Sequence, residues 1–134
     1  MSSTAGTRRA IFLLSDGADT YSSRTMPDAT ERALRYDVAI YAIGIGDKRY
    51  RGVRESVLKK IAGETGGRAF FPKQIPELQG IFEQLGEELR SSYVVGYKRT
   101  NRKPRGEIQK LRIQLLNPST RDLTVDYRHG YVSL

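Results

Sequence analysis

Two continuous apolar runs constrain this chain most: AIFLLS at residues 10–15 and VAIYAIGI at residues 38–45. Neither run alternates with polar residues. A strand built from either one is therefore buried on both faces, as in the middle of a parallel sheet. The first run breaks at Asp16-Gly17, a turn dipeptide, and the second at Gly44, Gly46 and Asp47. Between them the spacing predicts a helix. Thr25 caps it, Pro27 sits in its first turn, and Asp28 follows the cap by three residues. The helix reaches about Tyr36 and buries Ala29, Ala33 and either Leu34 or Tyr36.

The pattern then repeats. Val53, Val57, Leu58, Ile61 and Ala62 have helical spacing, and Gly66-Gly67 stops that helix. Arg68 to Phe71 forms a third short strand, closed by Pro72. A third helix starts near Ile75-Pro76 and buries Leu78, Ile81, Phe82, Leu85 and Leu89. Strand, helix, strand, helix, strand, helix over residues 10–92 predicts a partial doubly wound, Rossmann-like α/β sheet with right-handed crossovers. After Ser92 the pattern changes. Tyr93 to Tyr97 reads as a strand, Ile108 to Leu116 and Leu123 to Tyr127 alternate with period two, and Gly130 to Val132 closes the chain. These runs predict a C-terminal antiparallel β meander. The expected division is residues 1–92 as the α/β part and 93–134 as an antiparallel extension packed on or beside it.

Composition narrows the function classes. The 134 residues contain no cysteine, which excludes disulfides, thiolate metal sites and thiol catalysis. No apolar run is long enough to span a bilayer. The opening MSSTAGTRRA has no apolar segment of the secretory kind. The net charge of +8 favours anionic partners, but the charges are dispersed and no nucleic-acid motif accompanies them. The densest cluster, Lys98, Arg99, Arg102, Lys103 and Arg105, follows Tyr93 and Tyr97 and is a candidate anion-binding patch. A solvated loop is the simpler account of it, and a basic nucleic-acid-binding module the alternative.

The segment AIFLLSDGADTYSS, followed by VAIYAIGIGD, LKKIAGETGG and RAFFP, resembles the later strands of von Willebrand factor A-type domains. The tail LRSSYVVGYKRTN and YRHGYVSL is similar to a bacterial subgroup with a β-rich extension after its last helix. The resemblance runs over about residues 8–134 and corresponds to the C-terminal half of the family domain. It implies a non-enzymatic, adhesion-type protein-interaction module dependent on a divalent cation, in an extracytoplasmic setting. Asp16 takes the place of the family's metal-ligating Asp. Asp19 lies near it, and Ser15, Ser22 and Ser23 are candidates for outer contacts with Mg²⁺, or Mn²⁺ or Ca²⁺ in its stead. In the family the cation leaves one position for an acidic residue of the protein ligand.

The family's Asp-x-Ser-x-Ser does not occur in this chain. The site is thus expected to be partial, and cation binding weak or absent. A structural or assembly fragment without metal is the competing expectation. The absent strands leave the edge of residues 10–15 free. The chain is then expected to form a homodimer through that edge, to swap an element, or to dock its tail there.

Other constellations carry less. A phosphatase of the haloacid dehalogenase type needs Asp-x-Asp-x-Thr, and the spacing from Asp16 to Asp19 is one residue too long. Gly44-x-Gly46 lacks the third glycine of a dinucleotide loop. His129, the one histidine, has no nucleophile and base beside it in sequence and reads as structural or surface. No catalytic residue emerges.

Overall fold

The computed structural model describes residues 9–15, 25–45, 51–98, 104, 106–117, 119 and 122–132, with residues 51–54 as backbone. Strand β1 (Arg9–Ser15) is followed by helix α1 (Met26–Arg35), β2 (Val38–Gly44), α2 (Arg51–Glu64), β3 (Ala69–Phe70) and α3 (Glu77–Arg90). Two short strands, β4 (Ile108–Lys110) and β5 (Gly130–Val132), lie in the tail. The strand order is β1-β2-β3. β1 and β2 run parallel in unbroken register from Arg9↔Val38 to Ser15↔Gly44. β3 joins on the far side, also parallel, with Ala42↔Ala69 and Ile43↔Phe70.

Local chemistry explains the helix boundaries. The Thr25 hydroxyl accepts from the Asp28 N–H, and the Asp28 carboxylate accepts from the Thr25 N–H at 2.8 Å, a complete capping box. Helix α1 ends at Arg35 with Tyr36 as its C-cap, and Asp37 then takes φ 54°, a left-handed turn that Asp tolerates better than most residues. Ala33 and Leu34 are buried as the spacing predicts. Ala29 is exposed, and so is Tyr36, because the face of α1 turned to the sheet runs through Thr30 instead.

The core has two sides. Ala33 of α1, Ile61 of α2 and Ile40 of β2 pack together with Leu13 and Val38, and Ala42, Leu58 and Ala62 continue that layer. On the opposite face Ala39, Tyr41 and Leu85 of α3 pack with Ala10, Phe70, Ile81 and Leu89. Phe12 stacks on Tyr41 there, with ring centroids 5.7 Å apart. Helices α1 and α2 therefore cover one face and α3 the other. Phe82 falls outside this layer and is exposed.

The antiparallel extension is present but narrower than the alternation predicts. Among the described residues it is one strand pair, β4 with β5, in register Ile108↔Val132 to Lys110↔Gly130. Tyr93–Tyr97, 111–116 and 123–127 are not strands. Alternation makes a strand only where a neighbouring strand satisfies its backbone. Tyr93 and Val94 are 94% and 90% exposed, and among the described residues no strand pairs with them.

Leu85 is 1% exposed at the centre of the α3 layer. Leu85→Ala should lower stability by about 2–5 kcal/mol, read as a shift of the urea midpoint at unchanged slope.

Candidate functional site

The site to examine is the carboxyl rim of the parallel sheet, because ligands of open α/β sheets bind beyond the carboxyl ends of the strands. β1 ends there at Ser15, whose carbonyl accepts from the Ile45 N–H at 2.9 Å. That bond carries the pairing one residue past Gly44 and holds the rim ends of β1 and β2 together. Asp16 is next in the chain. Asp16, Asp19, Ser22 and Ser23 lie outside the described residues, while Ser15 is half-buried at the end of β1. Among the described residues no group of three or more Asp, Glu or His side chains could hold a metal ion. At this rim the described side chains include the Ser15 hydroxyl, the exposed Ile45, and Phe71 and Leu58 beside Gly44, so a single side-chain oxygen among apolar groups. By themselves they do not fit a hard divalent cation, which requires about six oxygen ligands. No metal step is derived from them.

The basic cluster is represented by Lys98 alone, which is exposed. Arg99, Arg102, Lys103 and Arg105 lie outside the described residues. His129 is also exposed. Its ring lies 5.0 Å from that of Tyr127, and its backbone N–H donates to the Glu64 carbonyl at 2.9 Å. It lines a groove of about 770 Å³ between α1 and the tail, together with Met26, Leu34 and Ile108.

What the structure brings together most firmly is a junction that sequence reasoning missed. Thr65, buried after α2, accepts from the Ile40 N–H at 3.0 Å and lies 2.8 Å from the Ile61 carbonyl, to which it donates. It ties the end of α2 to the middle of β2. Gly66, at φ +83°, brings the backbone against Arg128, and Thr65 bridges to Arg128 in antiparallel fashion. Gly67 passes so close to β2 that an added Cβ would stand 2.1 Å from the Ile40 carbonyl oxygen. The glycine pair is legible in the sequence as a helix stop. Its second task, close passage of two backbones, has no local signature.

Charge closes the same junction. Arg68 pairs with Glu88 of α3 at 2.8 Å and with Asp126 of the tail, and Arg128 pairs with Asp37 at the end of α1. Partial burial works against the Arg68 charge. The hydrogen bond to Asp126 and the fields of Asp126 and Glu88 outweigh that cost, so its pKa lies above the ordinary arginine value.

The geometry is that of an open parallel α/β sheet with helices on both faces. Comparison with known proteins gives the class. The model of the von Willebrand factor type A domain matches residues 1–84, well over half of the chain, and the chain belongs to that family. The match lies in the N-terminal part of this chain, in conflict with the expected C-terminal half, and ends within α3. The tail lies beyond it. Among solved structures the chain is similar to the crystal structure of an uncharacterized membrane spanning protein from Vibrio fischeri. Identity is 28%, the TM-score 0.53, and the match covers 62% of this chain and 48% of that one. The chain thus spans about half the length of that structure. No curated protein matches. Among the described residues no helix is long and apolar enough to cross a membrane.

Thr65→Val removes the acceptor of the buried Ile40 N–H. It should cost about 1–3 kcal/mol in chemical denaturation, whereas Thr65→Ser should recover most of the loss.

Proposed function

We propose that this chain is a non-enzymatic protein-interaction module of the von Willebrand factor A type, presenting its carboxyl rim and the adjoining β1 edge to a protein partner. The observation that carries the reading is the placement of Ser15 at the carboxyl end of a parallel strand pair, with Asp16 following directly in the chain. In this reading residues 1–92 belong to the family domain and 93–134 form an extension docked on it. Asp16 and Asp19 belong to an incomplete site for Mg²⁺, Mn²⁺ or Ca²⁺, with Ser15, Ser22 and Ser23 in outer contacts. The missing ligands make the cation weak in this chain. A carboxylate of the partner is the chemistry such a site would take up. The absence of a nucleophile-and-base constellation in the sequence supports the non-enzymatic reading. The similarity to a membrane spanning protein supports an extracytoplasmic or membrane-associated setting. The exposed apolar edge of β1 supports protein partners, a second copy of this chain among them.

Titration with Mn²⁺ and Mg²⁺, followed by amide shifts, tests the cation part. Saturable shifts should cluster at residues 15–23 and disappear in Asp16→Ala, with millimolar rather than micromolar affinity. Shifts distributed over the surface, or unchanged in Asp16→Ala, would leave the module without its cation and favour the structural-fragment reading. Binding to DNA that weakens with salt would favour the nucleic-acid alternative instead.

A further inference from the structure

Where the tail crosses α1 and α2 it leaves the groove of about 770 Å³. That volume falls in the range of small-molecule sites, about 300–1,000 Å³. Its walls follow from the periodicity of the elements. Met26, Thr30 and Leu34 stand four residues apart and form one face of α1. The Thr30 hydroxyl already donates to the Met26 carbonyl at 3.1 Å, so this wall is apolar in effect. Lys60 and Glu64, also four apart, face the groove from α2. On the tail, Ile108 and Lys110 project to the same side of β4, and Arg112 lines the groove beyond them. The rings of Tyr127 and His129 close it at the Glu64 end, where the His129 backbone N–H bonds to the Glu64 carbonyl.

Charge and size together define what this space can take. The carboxylate of Glu31, at the groove wall, is paired with Arg35 at 2.9 Å. Among the described residues Lys60, Lys110, Arg112 and Glu64 form no ion pair. Three cations therefore stand against one carboxylate, beside an apolar wall. From Met26 to Leu34 the groove runs about 12 Å along α1. A stable protein partner needs a much larger face, about 800 Å² on each side. The dimensions suit a small molecule, and the charge suits an anion.

We propose that this groove is a binding site for an amphipathic organic anion, a carboxylate on an apolar body. The body lies along Met26, Leu34 and Ile108, where leaving water drives its binding. The carboxylate is taken by Lys60, Lys110 and Arg112. Arg112 can hold it through two parallel N–H donors, and the lysines act as point charges. Glu64 opposes the same carboxylate and keeps the affinity moderate. The site does not depend on the proposed interaction at the carboxyl rim.

Titration of the full chain with decanoate below its micellar concentration, followed by amide shifts, tests the site. Saturable shifts should centre on Thr30, Lys60, Leu111 and His129. Lys110→Glu with Arg112→Glu should weaken binding at least about tenfold. Glu64→Gln, which removes the opposing charge without adding bulk, should tighten it about two- to fivefold. Lys98→Glu, exposed outside the groove, should leave it unchanged. The urea midpoint of each variant shows that it is folded, and Glu64→Gln carries the test if the double reversal is not. Weaker binding in Glu64→Gln, or equal shifts with decyltrimethylammonium, would overturn the proposal, because the groove would then select a cation or an apolar chain alone. Binding to anionic lipid vesicles without binding of free decanoate would overturn it too, since the cations would then serve a membrane surface.

Discussion

The parallel pairing of β1 with β2 underlies everything else in this molecule. Seven residue pairs in one register, from Arg9↔Val38 to Ser15↔Gly44, set both strand ends at the same rim. Because the pairing is parallel, the connection must cross a face of the sheet, and α1 makes that crossing. The same direction repeats from β2 to β3 through α2. Reversing β1 would move Ser15, and Asp16 after it, to the opposite end of the sheet.

The tail depends on that sheet by a different kind of contact. It is held through backbone approach at Thr65-Gly66 and through the pairs Arg68–Asp126 and Arg128–Asp37. The groups in these pairs are a third or more exposed, so water screens them and each contributes little by itself. The buried bonds of Thr65 carry more. Apolar contact adds to these polar ones, because Val132 of β5 is buried and β5 lies against α1.

The parallel core was legible because its signals are local. Continuous apolar runs at 10–15 and 38–45 mark the two parallel strands, but only β2 is buried on both faces, whereas Ile11, Phe12 and Leu14 of β1 are exposed; Thr25 with Asp28 marks a helix start that the structure realises bond for bond. The face of α1 was read less well. Its short turn pattern allowed Ala29 inside, whereas packing on β2 selected Thr30. The tail was legible only as strand propensity. Pairing is decided by partners far along the chain, and alternation at 111–116 and 123–127 cannot name them. The candidate site is an extreme case. Motif order locates it after Ser15, but a cation site is a meeting of oxygens from several loops. Asp16 and Asp19 lie outside the described residues, and nothing local in the sequence says which other oxygens join them.

The central claim is the direction of β1 beside β2, and backbone proton contacts across the pair measure it directly. In a uniformly labelled sample the account places residue 15 against residues 43–45 and residue 9 against the start of β2, at Val38. Contacts pairing residue 9 with Gly44 and residue 15 with Val38 would contradict it, and with it the rim on which the proposed interaction site stands.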